Sequence, residues 1–546
     1  MKKIISGAVA LVVIVALLAF KADDHQFEIS RNLDIFATLY RELNAHYVDE
    51  LPSEKIITKG INAMLSTLDP YTTYIPESKL EDYRTSTTGE YGGIGAVVGK
   101  RDGMSMVLMP YIGFPAHKAG LLIGDHILKI DGQSTQGQNS REISEKLKGQ
   151  PGSTLVLTIK RMGMAEPFDV QIRREKIIIS NVAHSEMFTD KVGYIRLSDF
   201  TTNAGAEVKE ALQALKNKGA ESIMLDLRDN PGGLLDEAVK VANVFVPQGS
   251  EIVSTRGKVR SWDKVHRAPF QVIDEEIPLV VLTSSATASA AEIVSGVVQD
   301  YDRGVLIGAR TFGKGLVQAT RPLPYNAQLK VTTAKYYIPS GRCIQAIDYS
   351  IKNEDGSVKT IPDSLKVAFK TSSGRTVYDG GGIKPDIEIK PREFSNLLMN
   401  LVNDNYLFDY ASIYYQSHKS IPLAREFRLT DEEYGSFIKW MTDKEISYSS
   451  QMDDAIKSLE EIAKKEKYFD GLDQSIKQLK KRVHDIKENY LIEFQDEVRL
   501  MLEQEIVSRY YFHTGIVEYA IHEDRAINAA LEVLNDSKRY KEILNK

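Results

Sequence analysis

The sequence predicts a multidomain α+β protein: a helical N-terminal region, a small barrel-like β module, an α/β core and an all-α C-terminal domain. A length of 546 residues exceeds what one core usually holds, at roughly 150 residues per domain. Hydrophobic spacing also changes period along the chain, from threes and fours to short β runs, then to alternating strands and helices. Beyond Phe394 glycine nearly vanishes and charged amphipathic helices run to Lys546. The boundaries that follow are 1–22 for a signal or anchor, 23–85 helical, 86–175 β, 176–393 α/β and 394–546 helical.

Apolar residues make up 42% and charged residues 26%, which excludes a disordered, collagenous or multi-span membrane protein. Lys and Arg total 69 against 75 Asp and Glu, and no basic block is long enough to hold a phosphate backbone, so nucleic acid is not an expected partner. A single cysteine, Cys343, forbids an intrachain disulfide and any multi-Cys metal site. The ten histidines include no His-Glu-x-x-His pair, which removes the commonest zinc-protease signature.

Lys2 and Lys3 precede an apolar run from Ile4 to Phe20, followed by Lys21, Asp23 and Asp24. This reads as an export address. The run of 17 residues is slightly short of the roughly 20 that cross a bilayer upright, and no clean cleavage site follows, so removal and retention as a single anchor are both open. The chain is therefore expected in the periplasm or cell envelope, held at the inner membrane by residues 4–20 where the run is retained.

In order, Leu33, Phe36, Leu39, Tyr40, Leu43 and Tyr47 give the helical spacing of the N-terminal region, and Asp69-Pro70 marks a break in it. Glycine-rich Tyr91 to Gly95 leads into strands at Ala96 to Val98, Ser105 to Met109, His126 to Ile130, Thr154 to Lys160 and Phe168 to Ile172, with one helix from Ser140 to Lys148. In the α/β region, strands are expected at Ser222 to Leu227, Leu279 to Leu282 and Val305 to Gly308, with helices at Leu234 to Phe245 and Ala291 to Val298. Leu472, Ile476, Leu479, Val483, Ile486 and Tyr490 alternate fours and threes, the spacing of a helix packed along one seam, within the chain or against a copy or an adaptor protein.

Three segments carry unusual residue choices. Leu225 to Gly233 is a strand ending in charge and paired glycines, which free backbone N–H groups to face an oxyanion, although a strand-to-helix turn also needs glycine. Ser284 to Glu292 is a run of small residues before a helix, where a nucleophile would be uncrowded; taken alone, it is better explained by a Ser/Thr cap with tight packing. Gly308 to Gly315 superficially spells a phosphate loop, but Gly315 stands where Ser or Thr would hold Mg²⁺, and Leu316-Val317-Gln318 reads as a strand. A lysine between glycines is better read as an amine in a tight, partly desolvated place, with a turn lysine as the bland alternative.

These segments, in this order, resemble the C-terminal processing peptidases, or tail-specific proteases, through Leu225 to Gly233, Ser289-Ala290-Ala291-Glu292 and Thr311 to Gln318. Ser289 and Lys314 lie 25 residues apart, the family's usual separation. The resemblance implies Ser289 as nucleophile, Lys314 as general base, Gln318 as the residue orienting the lysine, and an oxyanion hole from the Ala290 amide and one of Gly232 and Gly233. Ala291 and Asp229 stand where relatives often carry Ser and Asn. The β module is similar to the family's PDZ domain, with Gly93-Ile94-Gly95 as its carboxylate-binding loop and Gly113 to Leu121 as its helix turn. The α/β core is then expected to be crotonase-like.

The function implied is a serine endopeptidase that engages exposed C-terminal tails of proteins or peptides and cleaves through an acyl-enzyme. Spacing alone leaves a Ser-His-Asp triad open. The rival of another class is a non-catalytic PDZ scaffold that gathers exported proteins.

Overall fold

The computed structural model describes residues 26–101, 103–352, 358–442, 444 and 451–546, so the export segment lies outside the described residues. Among them, no helix is long and apolar enough to cross a membrane. The chain divides into two compact units, residues 1–77 with 318–332, and residues 78–317 with 333–546.

In the first unit, residues 26–46 and Ser53–Leu65 are helical, and the strand Thr73–Ile75 pairs antiparallel with Gln328, Leu329 and Lys330. The expected break at Asp69-Pro70 is a turn in which the Asp69 carboxylate accepts the N–H groups of Tyr71 and Thr72, both at 2.8 Å.

The second unit begins with the β module. Its sheet order is Ala96–Arg101, Met104–Pro110, His126–Ile130, Thr154–Lys160, Phe168–Arg173, all antiparallel, which leaves Ala96–Arg101 on an edge. The helix Ser140–Leu147 is capped by the Asn139 side chain and buries Ile143 and Leu147 in the module's core.

The α/β core is a six-stranded sheet ordered Val182–Met187, Val192–Leu197, Ser222–Asp226, Leu279–Thr283, Val305–Gly308, Ile387–Glu388. The first pair is antiparallel and the rest are parallel. Its central strands are buried throughout and mostly apolar, because both faces are covered. On one face lie the helices Ala204–Asn217, Leu235–Asn243 and Ala290–Asp300. On the other, Met224, Val280, Leu282, Val305 and Ile307 pack against Ile521, Ile527, Ala530 and Val533 of the C-terminal helices.

Those helices also reach the β module. Arg101 pairs with Asp409 at 2.7 Å and donates to the Asn405 carbonyl at 3.0 Å, and its guanidinium lies over the Phe408 ring. The long helix Gln495–His522 is interrupted at Phe512 (φ 53°), whose ring meets His117 edge-on at 5.2 Å. Of the expected heptad seam, the Ile486 side chain lies outside the described residues, Tyr490 is buried in a neighbouring cluster, and the rest is half buried. Ile476 is buried and Val483 partly so, against Ile456 and Ala463 of the helix Gln451–Lys465, whereas Leu472 and Leu479 face outward. One partner helix covers one edge of a 4,3 stripe and leaves the other open.

Candidate active site

Ser289 stands between the strand Leu279–Thr283 and the helix Ala290–Asp300 with φ 56° and ψ −116°, a conformation that L-residues hold only when their surroundings impose it. The imposing contacts are visible. Thr287 Oγ1 donates to the Leu227 carbonyl at 2.8 Å, and the Ala288 N–H donates to the Asn230 carbonyl at 2.9 Å. Ser289 is half-buried between buried Ala288 and Ala290. Small side chains on both sides keep its hydroxyl uncrowded.

The strongest tether is Glu292, one turn into the helix and wholly buried. Its Oε1 accepts from Thr311 Oγ1 at 2.6 Å and from the Gly313 N–H at 2.7 Å. Its Oε2 accepts the N–H groups of Lys314 and Ser289, each at 2.8 Å. One carboxylate oxygen thus holds the backbone of both candidate reacting residues. Burial pushes the Glu292 pKa up to about 7, against the four donors, which favour the charged form. Tyr336 adds a second clasp, its hydroxyl donating to the carbonyls of Ser289, at 3.1 Å, and Lys314. Lys314 itself is half-buried, in a turn where Gly313 (φ +86°) admits no Cβ because Ala346 Cβ would lie 2.3 Å away.

The paired glycines lie against the same turn. A Cβ on Gly232 would fall 2.7 Å from Ser289 Cβ and 2.8 Å from the Ala290 nitrogen. The Gly232 N–H is committed to Asn230 Oδ1 at 2.8 Å. Gly233 differs. Phe200 donates to the Gly232 carbonyl and accepts from Leu234, so the bridge between Phe200 and Gly233 turns Gly233's own N–H to the opposite side. Among the described residues, neither the Gly233 nor the Ala290 N–H has a hydrogen-bond partner. No histidine among them bonds Ser289 or Glu292.

Gln318 follows four residues after Lys314 and belongs to the first unit, where its carboxamide donates to Thr332 Oγ1 at 3.1 Å. In the β module, the Ile94 carbonyl accepts from Ala116 at 2.8 Å and the Gly95 carbonyl from Tyr111 at 2.9 Å. Among the described residues the N–H groups of Ile94 and Gly95 make no bond, while the Ile94 side chain is core. The sequence reading assigned no role to Glu292, Tyr336 or Asn230. Only Glu292 left a signal, the Ser-x-x-Glu spacing that pairs a helix start with its third residue.

Three family models match the chain: Peptidase family S41 over residues 191–353, PDZ domain over 110–161, and "Probable PDZ-protease, C-terminal helical domain" over 397–534. The chain is 39% identical over 321 residues to a carboxy-terminal-processing protease of Bartonella bacilliformis, covering 58% of this chain and 73% of that protein. It is 31% identical over 374 residues to a "Probable CtpA-like serine protease" of Staphylococcus aureus, covering 64% and 74%. The solved photosystem II D1 C-terminal processing protease matches at 28% identity over 66% of this chain and 93% of its own, with a TM-score of 0.35.

Proposed function

Because the chain belongs to the carboxy-terminal-processing serine proteases of peptidase family S41, we propose that it captures protein C-terminal tails in its PDZ domain and cleaves them with a Ser289-Lys314 dyad. The observation that carries this reading is the shared carboxylate oxygen of Glu292, which fixes Ser289 and Lys314 side by side through their N–H groups.

The neutral Lys314 amine takes the proton of Ser289 Oγ as that oxygen attacks the scissile carbonyl. The oxyanion that forms is received by the N–H groups of Ala290, at the positive end of its helix, and of Gly233; Gly232 is already engaged. Lys314 ammonium then protonates the departing amine, leaving an acyl ester on Ser289. Water, deprotonated by the same lysine, attacks the ester and releases the acid. Gln318 is assigned the orientation of the lysine. No metal or organic cofactor enters these steps.

Tail capture uses the N–H groups of Ile94 and Gly95 for the terminal carboxylate, just after Gly93 closes the strand Glu90–Gly93 against Glu175–Ile178, with the peptide adding as a strand to the open edge at Ala96–Arg101. The export address at residues 4–20 places this activity in the periplasm or cell envelope. Incubating the chain with substrates that differ only in a free or amidated C-terminus, beside Ser289→Ala and a serine-acylating probe, tests both halves. A scaffold without catalysis would bind tails and resist the probe.

A further inference from the structure

Arg228 lies two residues beyond the strand Ser222–Asp226 and four before Gly232. Its guanidinium grips the fully buried Asp226 carboxylate, with Nε at 2.9 Å and Nη2 at 2.6 Å, and the Arg228 N–H donates to the same carboxylate at 3.0 Å. Tyr194 donates a further bond to Asp226 at 2.6 Å. The remaining arm of the fork, Nη1, reaches out of the protease core to Asp524. Asp524 opens the helix Arg525–Asn535, and its other oxygen caps that helix by accepting from Ala526 at 2.8 Å and Ile527 at 3.1 Å. The helix is itself fixed to the sheet by Ala526, Ile527, Ala530 and Val533.

We propose that Asp524 of the C-terminal helical domain is a positioning residue for proteolysis, acting through Arg228 on the loop that presents Gly232 and Gly233. The inference rests on the reading of that loop as half of the oxyanion hole. From Arg228 onward the loop is also held from within the protease core, through Asp229 with Ser284, the Asn230 carbonyl with Ala288 and the Gly232 carbonyl with Phe200, and Arg228 is the side chain that ties it to the C-terminal domain. Asp229 holds a positive φ of 60°, and Asn230 joins the Leu197 carbonyl, at 2.7 Å, to the Gly232 N–H. A guanidinium gripped at both ends holds one rotamer and so fixes the backbone that carries it. Lysine has no planar fork and cannot hold both carboxylates in this geometry. The arrangement gives the appended domain a role in the reaction besides covering the sheet.

The test uses the full chain and rates per active site titrated with an acylating probe. Asp524→Asn keeps the helix cap on its one oxygen, because Asn caps as well as Asp, and turns an NH₂ toward Arg228, so both the charge and the acceptor that hold the guanidinium are lost. Its kcat on a tail peptide should fall about tenfold, a fraction of the roughly hundredfold or more that losing a whole oxyanion donor causes, with KM and Tm nearly unchanged. Arg228→Lys should give a similar fall, and the double variant no more than either alone, since both break one connection. An Asp524→Asn chain that turns over within twofold of the parent, or falls that multiply in the double variant, would overturn the proposal. An ester in place of the Gly232–Gly233 peptide bond, which removes the Gly233 N–H and adds no Cβ against Phe200, separates the two layers of inference. If it is crippled while Asp524→Asn is normal, only the role of Asp524 falls; if it turns over normally, the oxyanion assignment falls and takes this inference with it.

Discussion

Replacing Glu292 with Gln keeps the side chain's size and removes half of its acceptors. The carboxylate accepts four hydrogen bonds, two on each oxygen, whereas a carboxamide offers one oxygen and an NH₂ that would face donors. In either orientation two buried donors lose their acceptor, at about 1–3 kcal/mol each, or about 2–6 kcal/mol together. With the NH₂ toward Ser289 and Lys314, the strained φ of 56° at Ser289 loses its tether. With the NH₂ toward Thr311 and Gly313, the turn entering Lys314 loosens. About 3 kcal/mol expressed at the reacting atoms is roughly a hundredfold in turnover. Thermal unfolding should report the remainder as a lower Tm. Titrated turnover on a tail peptide, measured beside Tm, is the assay, and a variant within threefold of the parent with an unchanged Tm would refute the reasoning.

The same variant has a pH signature. Glu292 is raised in the fold from 4.5 to about 7, so the folded chain holds its proton more tightly than the unfolded chain. The stability this contributes is full below about 4.5 and is lost as pH rises through about 7. Activity should run the other way, since the ionised carboxylate is the form that receives four donors. Glu292→Gln should flatten both slopes across that window.

Ser289→Ala should abolish cleavage with Tm nearly unchanged, because the hydroxyl fills little space; residual cleavage would move the nucleophile to Ser285 or elsewhere. Lys314→Arg should be inactive, since guanidinium stays charged and cannot take the serine proton, and Gln318→Ala should slow the reaction less than Lys314→Ala. A Lys314→Ala chain with near-normal turnover and a histidine-like pH limb would replace the dyad with a Ser-His mechanism. Gly95→Ala should weaken tail binding and the PDZ fold together, because a Cβ at φ +71° would lie 2.5 Å from Phe114 Cβ and such a backbone costs an L-residue about 1–2 kcal/mol. Free-acid tails should bind at least about tenfold tighter than amidated ones, the worth of a charge-assisted hydrogen bond; equal binding would end the carboxylate-loop reading.

The parts of this molecule legible in its sequence are those decided locally. The strand Val305–Gly308 and the helix starting at Ser140 follow from short apolar runs between turn residues, and the elements fall where those patterns put them. The segments of Ser289 and Lys314 stand out in the sequence for their small residues and glycines, and the family resemblance, with its 25-residue separation, picks those two residues within them. What holds them together was not visible. Glu292 meets Thr311 and Lys314 across 19 and 22 residues, and Tyr336 meets Ser289 across 47; no period in the chain encodes such meetings. Which of Gly232 and Gly233 keeps an unengaged N–H was equally closed, since it turns on which N–H the Asn230 side chain has already taken.

The C-terminal helices left a fainter trace in the strands they cover. In Leu279-Val280-Val281-Leu282 the side chains alternate faces, so Leu279 and Val281 join the helices of the α/β core. Val280 and Leu282 need a second apolar layer, and that layer is Ile527, Ala530 and Val533. A strand without polar alternation requires cover on both faces. The α/β core places its helices Ala204–Asn217, Leu235–Asn243 and Ala290–Asp300 on one face only. The sheet was therefore unfinished by its own sequence, and the appended helices complete it. With those helices seated, Asp524 comes within reach of Arg228, so the burial that stabilises the sheet also brings the domain to the loop that carries Gly232 and Gly233.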